Sequence, residues 1–269
     1  HYNVDTESVR QALTPQTKAV IAVHLFGQPV DLAPLQEFCA SHGLWLIEDA
    51  AQAIGAQYRG RGIGSFGVTA AFSFYPTKNL GAYGDGGLIT TNDDSVAEMA
   101  RMLRAHGSKK KYHNEILGYN SRLDALQAAL LRVKLPHVDA NNQARREVAK
   151  RYNELLAGVD GVITPELADG HVFHQYTVRI TSADRDQVQE RLKNAGIVVA
   201  TAPVEAPTAP APPAEKPKVV TRTRTRSATR PAGPPSGSGG DATGGGGVSQ
   251  EPQPVVEHVP VKKKGSRKR

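Results

Sequence analysis

The chain has 269 residues, 33 Lys+Arg against 26 Asp+Glu and a formal net charge of +7, a length that allows one or two domains of roughly 150 residues. The charge sits at one end: residues 198–269 hold 12 Lys+Arg against 5 Asp+Glu, 12 of the 18 prolines and no aromatic residue, so residues 1–197 are formally neutral and offer no bulk electrostatic case for nucleic acid. A single cysteine, Cys39, excludes an intrachain disulfide framework, and the longest apolar run, Ala19–Phe26, is too short for a membrane span of about 18 residues; the expected compartment is cytoplasmic.

Lys18–Leu25 is a continuous apolar run of strand length. Leu32, Leu35, Phe38 and Cys39 then recur at helical spacing, with Gly43 as a stop. Leu44–Ile47, Thr69–Phe74 and Gly87–Thr91 are further strand candidates. Their lack of polar alternation predicts burial on both faces. Ser95–His106 reads as a helix with Ser95 as N-cap and Gly107 beyond its end. Ser121 with Asp124 resembles a capping box for a helix whose stripe is Leu123, Leu126, Leu130 and Leu131, stopped by Pro136. A long polar helix over 141–156, a strand over 172–180 and a helix over 184–194 follow. Strands alternating with helices argue an α/β layer fold, and the later elements argue a second, smaller domain.

After Val198 the periodicity ends. A Pro/Ala-rich stretch, a Thr-Arg repeat, a Gly/Pro/Ser-rich stretch and a basic terminus follow. Such a composition buries too little apolar surface to offset about 1–2 kcal/mol of backbone entropy per residue, so residues 198–269 read as a disordered basic tail with at most weak RNA contact.

Open α/β sheets place ligands at the carboxyl ends of their strands. Asp49 ends one buried strand and Lys78 follows another. A carboxylate and an amine delivered there suit pyridoxal 5'-phosphate, which needs an amine for its Schiff base and a carboxylate on its ring nitrogen. Ser73 and the turn at Thr77–Lys78 supply hydroxyl and N–H groups for its phosphate. Taken singly, each residue has a blander reading: a strand-end Asp is commonly a cap, a lone Lys is commonly solvated, and Asn120 has the lesser alternative of capping the next helix. His24, His171 and His174 lack metal-ligand spacing, so no metal is expected, and Lys109–Lys111 reads as a solvated loop.

Four segments together resemble one family. Val23–Gln28 (VHLFGQ), Glu48–Gln52 (EDAAQ), Phe72–Lys78 (FSFYPTK) with Gly84–Gly87 (GDGG), and Gly118–Arg122 (GYNSR) are similar in order and spacing to the DegT/DnrJ/EryC1/StrS sugar aminotransferases. The resemblance covers residues from 2 to about 197. It implies an aspartate-aminotransferase-like, three-layer α/β fold of the type I pyridoxal-phosphate enzymes. In this chain that fold is expected to be incomplete: 1–138 a partial cofactor-binding domain, 139–197 part of a small α+β domain. It implies that Lys78 carries the cofactor, Asp49 pairs with the pyridinium nitrogen, Gln52 lies near the phenolic oxygen and Ser73 binds the phosphate. Asn120 is expected to reach the cofactor phosphate of a neighbouring subunit, hence a homodimer. Arg122 matches the motif and is expected to do no more than support that loop. Lys at position 78, where the dehydratases of this group carry His, favours amino transfer from a donor such as glutamate to a keto group on a nucleotide-linked sugar.

The family's phosphate turn and ring-stacking aromatic, which precede the part matched here, have no counterpart in this sequence. The tail resembles the C-terminus of actinobacterial ribonucleases of the E/G type through Val220–Pro231 and Val256–Arg269. A second reading is therefore a non-catalytic aminotransferase-like core joined to a basic RNA-binding tail. Weak or no cofactor binding and no measurable amino transfer are expected of the isolated 269-residue chain.

Overall fold

A computed structural model describes residues 2–110 and 113–201; the tail from 202 onward lies outside the described residues. Helix α1 (Thr6–Ala12) precedes the central sheet. Four strands stand side by side in chain order: β1 (Ala19–Val23), β2 (Trp45–Asp49), β3 (Thr69–Ser73) and β4 (Gly87–Thr90). β1, β2 and β3 run parallel, and β4 is antiparallel to β3. The three apolar runs predicted as strands thus pair as a parallel α/β sheet requires.

Helix α2 (Leu32–Ser41) is the crossover between β1 and β2. Its predicted stripe, Leu32, Leu35, Phe38 and Cys39, is buried, and Leu32, Leu35 and Cys39 share one core cluster with Val20, Ala22 and Leu46 of the sheet. Full burial of a Leu or Phe side chain is worth about 1.5–3 kcal/mol. The prediction that the strands are buried on both faces is corrected. The other face leaves Ile21 and Trp45 at 60% exposure and Ile89 at 56%. The cause is topological: the crossover lays its helix α2 on one side of the sheet, and apolarity in a strand does not say what covers the second side.

Helix α3 (Asp94–Leu103) is capped by Asp93, not Ser95. The Asp93 carboxylate accepts from the N–H groups of Ser95 and Val96. Helix α4 (Ala125–Lys134) is capped by Asp124 itself, which accepts from Leu126 N–H at 2.7 Å. The capping box expected at Ser121 does not form, because Ser121 N–H donates to the Arg104 carbonyl instead. Of the expected α4 stripe, Leu131 is buried while Leu126 is 75% exposed. Pro136 sits in a 3-10 turn, Leu135–His137, that leads directly into helix α5 (Val138–Leu156); at a first helical turn the missing Pro N–H costs nothing.

The strand expected over 172–180 shrinks to Arg179–Ile180, paired antiparallel with Val162–Ile163. Val172 and Phe173 are buried by a different route. Val172 N–H donates to the Gly27 carbonyl, and the Val172 carbonyl accepts from Asn79, so this segment packs against loops rather than joining a sheet. Helix α6 (Arg185–Asn194) starts at the N-cap Asp184, and Gly196 follows in the left-handed region at φ 80°.

Candidate active site

Asp49 is the last residue of β2. Its Oδ1 accepts from Ala51 N–H at 3.0 Å, and its carbonyl accepts from His24 N–H at 3.0 Å. Asp49 lies beside Ala71 of β3, and Ser73 is two residues further along that strand. Side chains alternate along a strand, so Asp49 and Ser73 project from the same face. Strand spacing and rise put their Cα atoms about 8 Å apart. Ser73 Oγ accepts from Tyr75 N–H at 3.2 Å.

Lys78 lies five residues beyond β3, in a loop held shut at its base. Ala82 N–H donates to the Phe74 carbonyl and Phe74 N–H to the Gly86 carbonyl, while Lys78 N–H donates to Tyr75. Gly81 is required there: a Cβ at this position would stand 2.3 Å from the Pro76 carbonyl oxygen. The Lys134 ammonium of α4 donates to the Gly81 carbonyl. Asn79 ties the loop to the later chain by donating to Asn142 Oδ1 at 2.7 Å and the Val172 carbonyl at 3.1 Å. Its NH₂ group being so engaged, its oxygen accepts from His174 Nδ1 at 3.1 Å. The His174 proton is therefore on Nδ1, and Nε2 carries a lone pair. Burial, the Lys78 ammonium and the Arg145 guanidinium hold His174 down at about 4, so it is neutral at pH 7.

Gln52 reaches back to the loop after β1. Its Oε1 accepts from Phe26 N–H at 2.5 Å, which fixes a backbone turn with Phe26 at φ 59° and Gly27 at φ 92°. With the oxygen engaged, the Gln52 amide is oriented to present NH₂ as a donor. Asn120 forms a bridge with Ala105, and its side chain is exposed. It does not cap the following helix, and no hydrogen bond among the described residues links it to Asp49, Ser73 or Lys78.

The least exposed charged group was not singled out by the sequence. Glu48, at 0% exposure, points to the side opposite Asp49. It accepts from His24 Nε2 at 3.3 Å and from the N–H groups of Gly64, Phe66 and Gly67 at 2.8–2.9 Å. Burial pushes its carboxyl up, but His24 and the three backbone donors outweigh this and hold it below the ordinary value. His24 Nδ1 accepts from Val30 N–H, so Nε2 holds the ring proton and the imidazole is a packed, neutral donor. The signal that could have found Glu48 is its place in an apolar strand beside Asp49. His171 is also buried, and burial, with the Arg146 charge adding to it, lowers it to about 4 against an opposing hydrogen bond with Gly27. Among the described residues no cluster of three His, Cys, Asp or Glu could hold a metal.

A cavity of about 440 Å³ opens between the Lys78 loop, α5 and the segment from Phe173 to Tyr176; Asn79, Asn141, Arg145 and His174 are among its lining residues. None of Asp49, Gln52, Ser73 and Lys78 lines this cavity; Asp49 and Ser73 share one sheet face, and the four side chains are of the types, carboxylate, amide, hydroxyl and amine, that pyridoxal phosphate requires.

Three parallel strands beside an antiparallel one, with a helix as crossover, define the class as an α/β protein. The profile of the DegT/DnrJ/EryC1/StrS aminotransferase family matches residues 1–230, and the chain belongs to that family. The match runs past residue 197, where the sequence resemblance was expected to end. The chain is 53% identical over 200 residues to a pleiotropic regulatory protein of Geobacillus stearothermophilus, covering 73% of this chain and 53% of that protein. It is 46% identical over 220 residues to a dTDP-3-amino-3,4,6-trideoxy-alpha-D-glucose transaminase of Streptomyces venezuelae, covering 81% and 58%. The crystal structure of S. venezuelae DesV superposes with a TM-score of 0.70 at 48% identity, over 74% of this chain and 53% of that one. NtdA from Bacillus subtilis, solved with bound cofactor PMP, gives 0.66 at 30% identity, over 72% and 45%. The chain spans about half the length of the curated relatives it matches. None of these relatives is described as RNA-binding, and nothing here supports the reading of a non-catalytic core with an RNA-binding tail.

Proposed function

We propose that the chain is the lysine-bearing part of a pyridoxal-phosphate-dependent aminotransferase that moves an amino group from glutamate to a keto group of a nucleotide-linked sugar. The observation that carries this reading is the placement of Asp49 and Ser73 on one face, at the carboxyl ends of adjacent parallel strands, with Lys78 on the loop leaving the second strand. The named Streptomyces transaminase supports the substrate class. When bound, the cofactor supplies an electron-accepting ring. Asp49 would keep the ring nitrogen protonated, Ser73 would hold the phosphate, and Gln52 would donate its amide N–H to the phenolic oxygen. The Lys78 amine would anchor the cofactor and, when freed, would carry the proton between the substrate α-carbon and the cofactor carbon, as general base and then as general acid. Asn120 of one protomer serves the site of its partner, which makes the proposed enzyme a homodimer. Residues 1–138 form the cofactor side and 139–197 part of the smaller domain.

The test is chemical trapping. The 269-residue chain is incubated with pyridoxal phosphate, reduced with borohydride and mapped by mass spectrometry, which captures even a weakly populated adduct. Modification at Lys78 ahead of other lysines is expected. Label spread over Lys109 and Lys150 with Lys78 untouched would overturn the assignment.

A further inference from the structure

The cavity beside the Lys78 loop is bounded by groups that the cofactor assignment does not use. Arg145 and Arg146 are adjacent on α5 yet differ in their partners. Arg146 donates to the carbonyls of Ala168 and Leu167 and lies 3.7 Å from Asp169. Arg145 has a single bond to the Phe173 carbonyl at 3.4 Å and no carboxylate partner among the described residues. That one bond leaves other guanidinium N–H groups to donate. Among the described residues no Asp or Glu lines the cavity, so an incoming anion meets no like charge in its lining. The Asn79 oxygen fixes the proton of His174, a second lining residue, on Nδ1 and leaves Nε2 as an acceptor. A cation and an acceptor lining one cavity suit a ligand carrying an oxyanion next to a hydroxyl or ammonium group.

We infer that this cavity seats the oxyanion end of the substrate, with Arg145 receiving the carboxylate or phosphate and His174 Nε2 accepting a hydrogen bond from the neighbouring hydroxyl or ammonium. This deepens the aminotransferase reading and rests on it for the two ligand sources: the carboxylate of the amino donor and the diphosphate of the sugar nucleotide. The neutrality of His174 at pH 7, enforced by burial and then by the Lys78 and Arg145 charges, is what an acceptor role needs.

The experiment is calorimetric titration of the full 269-residue chain at pH 7.5 with L-glutamate and, separately, with dTDP-glucose. Wild type is compared with Arg145→Gln, His174→Phe and, as a control on the same helix, Arg151→Gln. At least one probe should bind, and the probe that does identifies the oxyanion. Arg145→Gln should weaken it by roughly 10- to 100-fold, the scale of a charge-assisted hydrogen bond, while Arg151→Gln leaves it unchanged. Circular dichroism reports whether each variant is folded. Should His174→Phe lose its fold, the ring-nitrogen shifts of His174 in the wild type give the same answer: a change at Nε2 on adding the probe is expected, and no change there overturns its role. Failure of both probes to bind wild type, or equal binding by Arg145→Gln and Arg151→Gln, overturns the inference. Trapping at Lys78 is read independently, so a labelled Lys78 with an indifferent cavity separates failure of this inference from failure of the cofactor assignment.

Discussion

Glu48 and Asp49 are sequence neighbours that face opposite sides of one sheet, and they have opposite tasks. Asp49 ends its strand, on the sheet face to which the proposed cofactor is assigned. Glu48 is a buried anion whose three backbone donors bind the turn from Gly64 to Gly67 to the strand, with His24 as a fourth donor. Glu48→Gln keeps the shape but turns an NH₂ group toward backbone donors. We expect a loss of about 3 kcal/mol, the scale of breaking a buried charged network, read as a lower urea midpoint at unchanged slope. Acid should act on the same region. Because the folded Glu48 carboxyl lies below its ordinary value, its contribution is complete above the unfolded pKa of about 4.3 and fades as pH falls through the folded value. His171 acts at higher pH. An unfolded His takes a proton near 6.5 while folded His171 resists until about 4, so stability is complete above about 6.5 and is lost as pH falls from there toward 4, by about 2 kcal/mol at pH 5. His174 adds in the same direction. Urea midpoints at pH 7.5, 6 and 5 should fall in that order; a flat profile would remove both histidines from the account.

At the scale of elements, the Lys78 loop depends on close backbone approach more than on side-chain packing. Gly81→Ala forces a methyl group against the Pro76 carbonyl. The expected result is a loss of about 1–3 kcal/mol from overpacking together with reduced borohydride trapping at Lys78. Asn79→Ala should also reduce trapping, since it releases the loop from α5 and from the Val172 carbonyl. Helix α4 offers a sharper comparison. Asp124→Ala should cost about 1 kcal/mol as the loss of an N-cap. Ser121→Ala should change the urea midpoint by less than half as much, because its side chain makes no capping bond. Equal effects would restore the capping box that the structure replaces.

For the whole molecule, the decisive feature is the sheet face that carries Asp49 and Ser73. Ile21, Val23, Trp45 and Ile89 are all exposed on it. A contiguous apolar surface of this kind favours association, and the outer strands add unpaired backbone groups. Trp45 is the sole tryptophan of the chain, so its fluorescence reports on this face alone. Acrylamide should quench it readily in dilute protein and less so as concentration rises and copies associate. The double change Ile21→Lys with Ile89→Lys should shift the sedimentation profile toward a single small species. Protection of Trp45 in a monomer would show that the face is covered.

The sequence by itself determined the four strands of the central sheet, the buried stripe of α2 and the placement of Asp49 and Ser73 at strand ends with Lys78 beyond one, because periodicity and strand-end position are properties of short segments. It also determined the family, because four short motifs keep their order. It did not determine which face of the sheet is covered, since an apolar residue reads alike whether a helix lies over it or not. Nor did it determine the caps: Asp93 and Asp124 take the places expected for Ser95 and Ser121, because several cap-forming residues lie within reach of each helix start. The tertiary structure alone decided the rest: Glu48 with donors 16 to 24 residues away in sequence, and His174 held in one tautomer by Asn79 across 95 residues. The same holds for the cavity that Asn79, Arg145 and His174 share. Such sites form where distant backbone and side-chain groups satisfy one another, and no local pattern in the chain encodes which groups will meet.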